Sequence, residues 1–197
     1  MIEVSEMLNV FQPHRGDAIV VPGKATPQWN AISTRPNRDL PIVPNTAMGG
    51  RAAFAFGIAL SQPNTKVVLF DSEGDLLMAL NILPTVGEHK PKNFYHFLLD
   101  NECYATTGGQ PVPNAKGTCY DIMARGAGYA HTFAYDNLET FAVNIERIMS
   151  LPGPVFVALK IIPVVLNEPI GRRKRFTPSR KREQIIEDLR RDLGIIK

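Results

Sequence analysis

Two clusters of oxygen-bearing side chains stand at equivalent places in this sequence. Asp71-Ser72-Glu73-Gly74-Asp75 closes the apolar run at 67–70, and Asp100-Asn101-Glu102 closes the apolar run at 94–99. An acidic residue in a glycine-containing turn can hold a divalent cation, and an amide oxygen from the next strand end can complete its shell. Hard oxygen ligands suit Mg²⁺ or Ca²⁺, and Mg²⁺ normally keeps phosphate oxygens among its partners. Backbone N–H groups at the start of a following helix also cradle phosphate. Together these features describe a site for a diphosphate bridged by a metal. The Ser72-Glu73-Gly74 turn would serve equally as a cap for the helical segment that starts at Leu76.

The elements that must position these groups follow from the hydrophobic pattern. Residues 67–70 and 94–99 read as strands, and 76–86 between them has helical spacing, with Pro84 expected to end or bend that helix. The oxygen ligands therefore lie at the carboxyl ends of two strands, the edge at which open α/β sheets bind ligands. Upstream, residues 1–11 suit a short helix. Residues 18–21 suit a buried strand closed by Pro22-Gly23. Residues 24–33 suit a helix interrupted near its start by Pro27, and Trp29 within it reads as a packing or interface residue. A proline-bearing loop leads to an Ala- and Gly-rich helix from Arg51 that stops at Pro63-Asn64. Downstream come a helix at 119–127, a strand within 129–135 and a strand at 155–162. Between those strands, the helix at 137–150 has Leu138, Phe141, Ile145 and Ile148 on one face. Strands alternating with helices imply a mainly parallel central sheet in a three-layer α/β/α fold. The pattern stops near Asn167. We therefore divide the chain into a ligand-binding domain at 1–165 and a basic linker with a C-terminal helix at 166–197. Thr177-Pro178 offers that helix a cap and first-turn proline, and Ile185, Ile186, Leu189 and Leu193 give it a stripe expected to pack on a partner or a second copy.

The 197 residues are 44% hydrophobic and 21% charged, which suits one globular domain with a tail. No apolar run is long enough to span a bilayer, and the acidic N-terminus lacks a signal pattern, so a soluble cytoplasmic protein with no membrane partner is expected. The formal charge is only +3. Much of the excess lies at Arg172, Arg173, Lys174, Arg175, Arg180, Lys181 and Arg182, a run that reads as a solvated tail. It lacks the interleaved aromatics of a single-strand binder, and no nucleic-acid partner is expected. Cys103 and Cys119 have no CxxC spacing, so neither a zinc site nor a disulfide framework is implied. Cys103 has no identifiable base beside it and is not expected to act as a nucleophile. His14, His89, His96 and His131 have no metal-pair spacing and read as surface or packing residues, with His96 inside a strand.

Three stretches, in order and spacing, resemble the C-terminal diphosphate-binding domain of thiamine diphosphate-dependent enzymes. The likeness is nearest to the small second subunit of the two-chain phosphonopyruvate and sulfopyruvate decarboxylases. Thr46-Ala47-Met48-Gly49 before a small-residue helix is similar to that family's Gly-Ser-Met-Gly. Glu73-Gly74-Asp75-Leu76-Leu77-Met78 is similar to its Asp-Gly-Ser-Leu-Leu-Met. Leu99-Asp100-Asn101-Glu102-Cys103-Tyr104 with Thr107-Gly108-Gly109-Gln110 is similar to its Leu-Asp-Asn-x-x-Tyr and Thr-Gly-x-Gln segments. The resemblance spans residues 16–165.

That resemblance implies thiamine diphosphate and Mg²⁺ as cofactors. The metal would be held by Glu73, by the side-chain oxygen of Asn101 and by the backbone carbonyl of Cys103. Gly74 and Asp75 would offer backbone N–H groups to the diphosphate. The carbonyl of Thr46 would accept from the aminopyrimidine, and Met48, next to Gly49, would support the bent form of the cofactor. Read without the resemblance, Met48 is a core gap-filler. Tyr104 and Thr107 would border the same site. Ser72-Glu73-Gly74 departs from the family's Gly-Asp-Gly, and a register with Asp71 or Asp75 as ligand stays open. Asp75 also brings a carboxylate close to a diphosphate, which is unfavourable unless it turns away or joins the metal.

The family's catalytic glutamate belongs to a second, pyrimidine-binding domain that this length cannot hold. The resemblance thus implies no catalytic residue in this chain, a pyrimidine-binding (alpha-type) partner in an α₂β₂ or larger assembly, and decarboxylation of a small anionic 2-oxo acid. An acetolactate synthase-like carboligase subunit and a non-catalytic structural or regulatory homologue are the alternatives.

Overall fold

The computed structural model of the chain describes residues 1–41, 48–165, 172 and 180–197. Their main body is a five-stranded sheet built from β1 (Ile19–Val21), β2 (Val67–Ser72), β3 (Phe94–Asp100), β6 (His131–Tyr135) and β7 (Val155–Lys160), in the order β1-β2-β3-β7-β6. Every neighbouring pair in it is parallel. A separate two-residue hairpin, β4 (Cys103–Tyr104) with β5 (Gln110–Pro111), is antiparallel.

Side chains along a strand alternate between faces, and here the alternation divides the core in two. Val68, Phe70, Tyr95, Phe97, Val155 and Val157 pack with α1 (Val4–Phe11), α2 (Thr26–Ile32) and α7 (Leu138–Ser150). Val67, Leu69, Phe94, Leu98 and Phe156 pack with α3 (Arg51–Ser61), α5 (Ile82–His89) and α6 (Tyr120–Gly126). The result is the expected three-layer α/β/α arrangement. The central strand β3 is buried along its whole length, as parallel strands covered on both faces must be. Trp29 is a core residue, fully buried with the Arg15 guanidinium 5.2 Å from its ring centroid.

Two expectations need correction. The segment 76–86 is not one helix: α4 (Glu73–Leu77) ends almost at once, and α5 starts again at Ile82. Hydrogen bonds from Met78 N–H to Asp75 O and from Ala79 N–H to Leu76 O tighten the break. Pro84 does not end the helix. It lies in the first turn of α5, where its missing N–H has no intrahelical partner to lose. The second correction concerns α8 (Arg182–Asp192). It buries Ile185 and Leu189 on the body of its own chain and leaves Ile186 outside the contact. Arg38 pairs with Asp192, and Arg180 binds Asp188 at 2.8 Å and the Pro36 carbonyl, which fasten α8 to the 3-10 turn at Pro36–Arg38. Thr177 and Pro178, expected at the cap, lie outside the described residues; Lys181 occupies the N-cap. No helix among the described residues is long and apolar enough to cross a membrane.

Candidate functional site

The parallel register carries the ends of β2, β3 and β7 to one edge, with Ser72 opposite Leu99 and Asp100 opposite Lys160. Above that edge is a cleft of about 270 Å³. Met48, Gly74, Asp75, Asn101, Cys103, Tyr104 and Thr107 line it, together with Lys24 and Arg51. Gly49 is buried beside it, and Glu73 is fully buried beneath it. Thr46 lies outside the described residues. Residues from four separate stretches of sequence thus meet at one place.

The floor of the cleft is built around a single N–H group. The Cys103 backbone N–H donates to Glu73 Oε1 at 3.1 Å and to Asn101 Oδ1 at 3.2 Å. A carboxylate and an amide oxygen therefore converge within one hydrogen-bond shell. The second Glu73 oxygen, Oε2, is buried with no hydrogen-bond partner among the described residues. Burial pushes the Glu73 carboxyl up to about 7; backbone hydrogen bonds oppose the rise, and the charge of Asp100 adds to it. A buried carboxylate with one free oxygen and a convergent amide suits a hard divalent cation. No group of three or more His, Cys, Asp and Glu among the described residues forms a metal cage. The donor set matches an ion that takes its remaining ligands from phosphate and water. The Cys103 carbonyl already accepts the Ala105 N–H at 2.9 Å, which leaves it one lone pair.

The neighbouring carboxylates each bond away from Glu73, although Asp75 Oδ2, like Glu73 Oε2, is buried with no hydrogen-bond partner among the described residues. Asp75 Oδ1 accepts the Gly49 N–H at 2.9 Å and pairs with Arg51 Nη1 at 3.0 Å, so Asp75 turns toward the start of α3. Asp71 is fully buried. Its Oδ1 accepts the Ser72 N–H at 2.9 Å, and its Oδ2 lies 3.2 Å from His96 Nε2. Because a carboxylate only accepts, Nε2 carries the proton and His96 Nδ1 accepts from the Tyr129 hydroxyl at 3.2 Å. Burial, and then the charge of Asp71, holds the Tyr129 phenol well above its ordinary range, so it remains a donor. His96 is thus a satisfied core residue in β3.

Met48 is 62% exposed at the cleft wall rather than packed in the core. The Cys103 thiol is pushed up by burial and by the charge of Glu73, against the pull of Lys24. It therefore stays protonated, which argues against a thiolate nucleophile. Lys24, Arg51 and Lys160 are the residues the motifs did not flag. Lys24 follows Pro22-Gly23 at the end of β1 and donates to the Thr106 hydroxyl. Gly23 has a φ of 51°, and a β-carbon there would lie 2.2 Å from the Phe70 carbonyl oxygen, so only glycine brings this turn against β2. A strand end followed by a glycine and a cation, on the binding edge of the sheet, was the signal available for Lys24. Among the described residues that line the cleft, Lys24 and Arg51 are the cations, and α4 is only five residues long.

The family model for the C-terminal TPP binding domain of thiamine pyrophosphate enzymes matches residues 29–159 of this chain. The chain belongs to this family. It is 32% identical over 180 residues to the phosphonopyruvate decarboxylase of Streptomyces viridochromogenes, covering 90% of this chain and 43% of that protein. It is 36% identical over 126 residues to the sulfopyruvate decarboxylase subunit beta of Methanothermobacter thermautotrophicus, covering 63% of each. The chain thus spans less than two thirds of the length of these curated relatives. The fold is shared with the thiamine diphosphate-dependent 4-hydroxybenzoylformate decarboxylase of Rhodococcus jostii RHA1, with a TM-score of 0.61 at 16% identity, over 81% of this chain and 32% of that one.

Proposed function

We propose that this chain is the diphosphate-binding subunit of a thiamine diphosphate-dependent decarboxylase of the phosphonopyruvate or sulfopyruvate type, completed by a pyrimidine-binding partner. The observation that carries this reading is the convergence of Glu73 and Asn101 on the Cys103 N–H, at the floor of a cleft lined by Lys24 and Arg51. Mg²⁺ would be held by Glu73, Asn101 and the Cys103 carbonyl. Gly74, Asp75, Lys24 and Arg51 would hold the diphosphate, with Tyr104 and Thr107 bordering it. Met48 would support the thiazolium end. Thiamine diphosphate supplies, when bound, a carbon nucleophile that adds to a 2-oxo acid and takes up the electron pair released with CO₂. Everything this chain contributes is binding and orientation, and the glutamate that activates the ring comes from the partner.

The partner reading has support on α3. After Arg51 this helix carries no charged residue, yet Ala53, Gly57 and Leu60 are exposed. A helix that is apolar on every face is normally covered, and this face runs from the cleft wall. Sulfopyruvate decarboxylase subunit beta is, by its name, one chain of a hetero-oligomer.

A non-catalytic homologue is the second reading. It is favoured by Glu73 lying beneath the cleft rather than lining it. Calorimetry with thiamine diphosphate and Mg²⁺ on the chain assembled with its partner separates the two. Mg²⁺-dependent binding, weakened by Glu73→Ala and by Asn101→Ala, is the expected result. Binding without metal dependence, or none, selects the non-catalytic reading.

A further inference from the structure

Lys160 belongs to none of the motifs, yet its ammonium contacts both acidic residues that flank Asn101. It ends β7, in register with Asp100 at the end of β3. Its Nζ lies 2.7 Å from Asp100 Oδ2 and 3.0 Å from Glu102 Oε1, and it donates to the Ala115 carbonyl at 3.3 Å. Asp100 Oδ1 in turn accepts the Glu102 N–H at 3.2 Å. Glu102 has a φ of 62°, a left-handed conformation that residues with a β-carbon rarely adopt. Its two neighbours are Asn101 and Cys103, and the Cys103 N–H donates both to Glu73 Oε1 and to the Asn101 amide oxygen. If Glu102 relaxes to negative φ, the chain direction through this turn changes, and Asn101 and Cys103 no longer face Glu73 together. Asp100 is buried, so without Lys160 its charge would lose its counter-ion and drive that rearrangement.

We propose that Lys160 is a positioning residue of the metal–diphosphate site. By neutralising Asp100 and Glu102 at once, it holds Glu102 in the left-handed conformation that aims Asn101 and the Cys103 carbonyl at the cation. The proposal rests on the function given above. It assigns to this lysine the place that outer-shell partners hold around metal ligands, where they orient donors without touching the ion.

The test uses the chain assembled with its pyrimidine-binding partner, with Mg²⁺ titrated at saturating thiamine diphosphate and binding read by calorimetry. Lys160→Met should weaken Mg²⁺ by about 10-fold or more, while Lys160→Arg, which keeps charge and donors, should stay within about 3-fold of the parent. Glycine adopts positive φ without help. Adding Glu102→Gly to Lys160→Met should therefore recover most of the lost affinity, which a lysine acting only as a staple between β3 and β7 would not permit. Should Lys160→Met fail to assemble, Lys160→Gln keeps an N–H donor group without the charge and should show the same loss and the same rescue at smaller size. Wild-type Mg²⁺ affinity in the lysine variants, or a loss unchanged by Glu102→Gly, overturns the role of Lys160 alone. Absence of Mg²⁺-dependent binding in the unmodified complex overturns the metal-site reading together with it.

Discussion

The Asp75 carboxylate accepts the Gly49 backbone N–H at 2.9 Å, joining the turn after β2 to the start of α3. A carboxylate that would repel a diphosphate is thereby turned into the tie that holds Gly49 and Arg51 at the cleft wall. Gly49 has a φ of 87°, and a β-carbon there would meet the Met78 side chain at 3.1 Å, so this junction is tight. Asp75→Ala leaves a buried N–H and the Arg51 charge without their acceptor and should cost about 2–3 kcal/mol in urea unfolding. Asp75→Asn keeps the acceptor for Gly49 and should cost about 1 kcal/mol. Equal losses in the two variants would show that the Gly49 bond contributes little.

The raised carboxyl of Glu73 makes metal-free stability depend on pH. Its value is about 7 in the folded chain against an ordinary 4.5. The folded state therefore binds more protons than the unfolded one between those values. The contribution is fully present below pH 4.5 and is lost as pH rises through 7, by up to about 3 kcal/mol. A bound cation favours the ionised form, so Mg²⁺ binding should strengthen over the same interval and release protons. Unfolding midpoints from pH 5 to 8 without metal should fall for the parent and flatten in Glu73→Gln. A parent curve as flat as the variant's would place the Glu73 titration elsewhere.

His96 links Asp71 and Tyr129 inside the sheet, with both ring nitrogens at 3.2 Å from their partners. His96→Phe strands a buried carboxylate and should cost about 3 kcal/mol, whereas Tyr129→Phe removes one neutral hydrogen bond and should cost about 1 kcal/mol. Chemical denaturation at neutral pH measures both. The reverse ranking would mean that the contact between His96 and Asp71 contributes little to the fold.

A β-carbon on Gly57 would touch nothing within 4 Å. Gly57→Glu should therefore fold with a change of no more than about 0.5 kcal/mol, yet it should abolish assembly with the pyrimidine-binding partner if α3 is the docking face. Co-purification and sedimentation of the two chains decide this, and intact assembly would move the interface away from α3.

The strands and the site's two acidic turns were readable because physics repeats itself there. Runs such as 67–70 are apolar at every position because both faces of a parallel strand are covered, and strand ends place polar groups at a common edge. The break at Met78–Asn81 was not readable, because Pro84 marks a helix start or a helix stop with the same residue type. Arg51 and Lys160 were not readable for a different reason. A lone cation has no motif, and the partnership of Lys160 with Asp100 exists only once the register of β3 against β7 is known. The stripe of α8 was seen, but an apolar stripe does not name the surface that receives it. Ile185 and Leu189 find that surface on their own chain.

The placement of β3 between β2 and β7 has a consequence for how the site forms. Lys160 meets Glu102 across 58 residues of chain. The turn that carries Asn101 is thus completed only when the last strand docks. Such long-range closure slows folding and makes the cleft a late-forming feature. A fragment ending before Val155 would keep every acidic and amide residue of both turns and still lack the geometry that makes them a site.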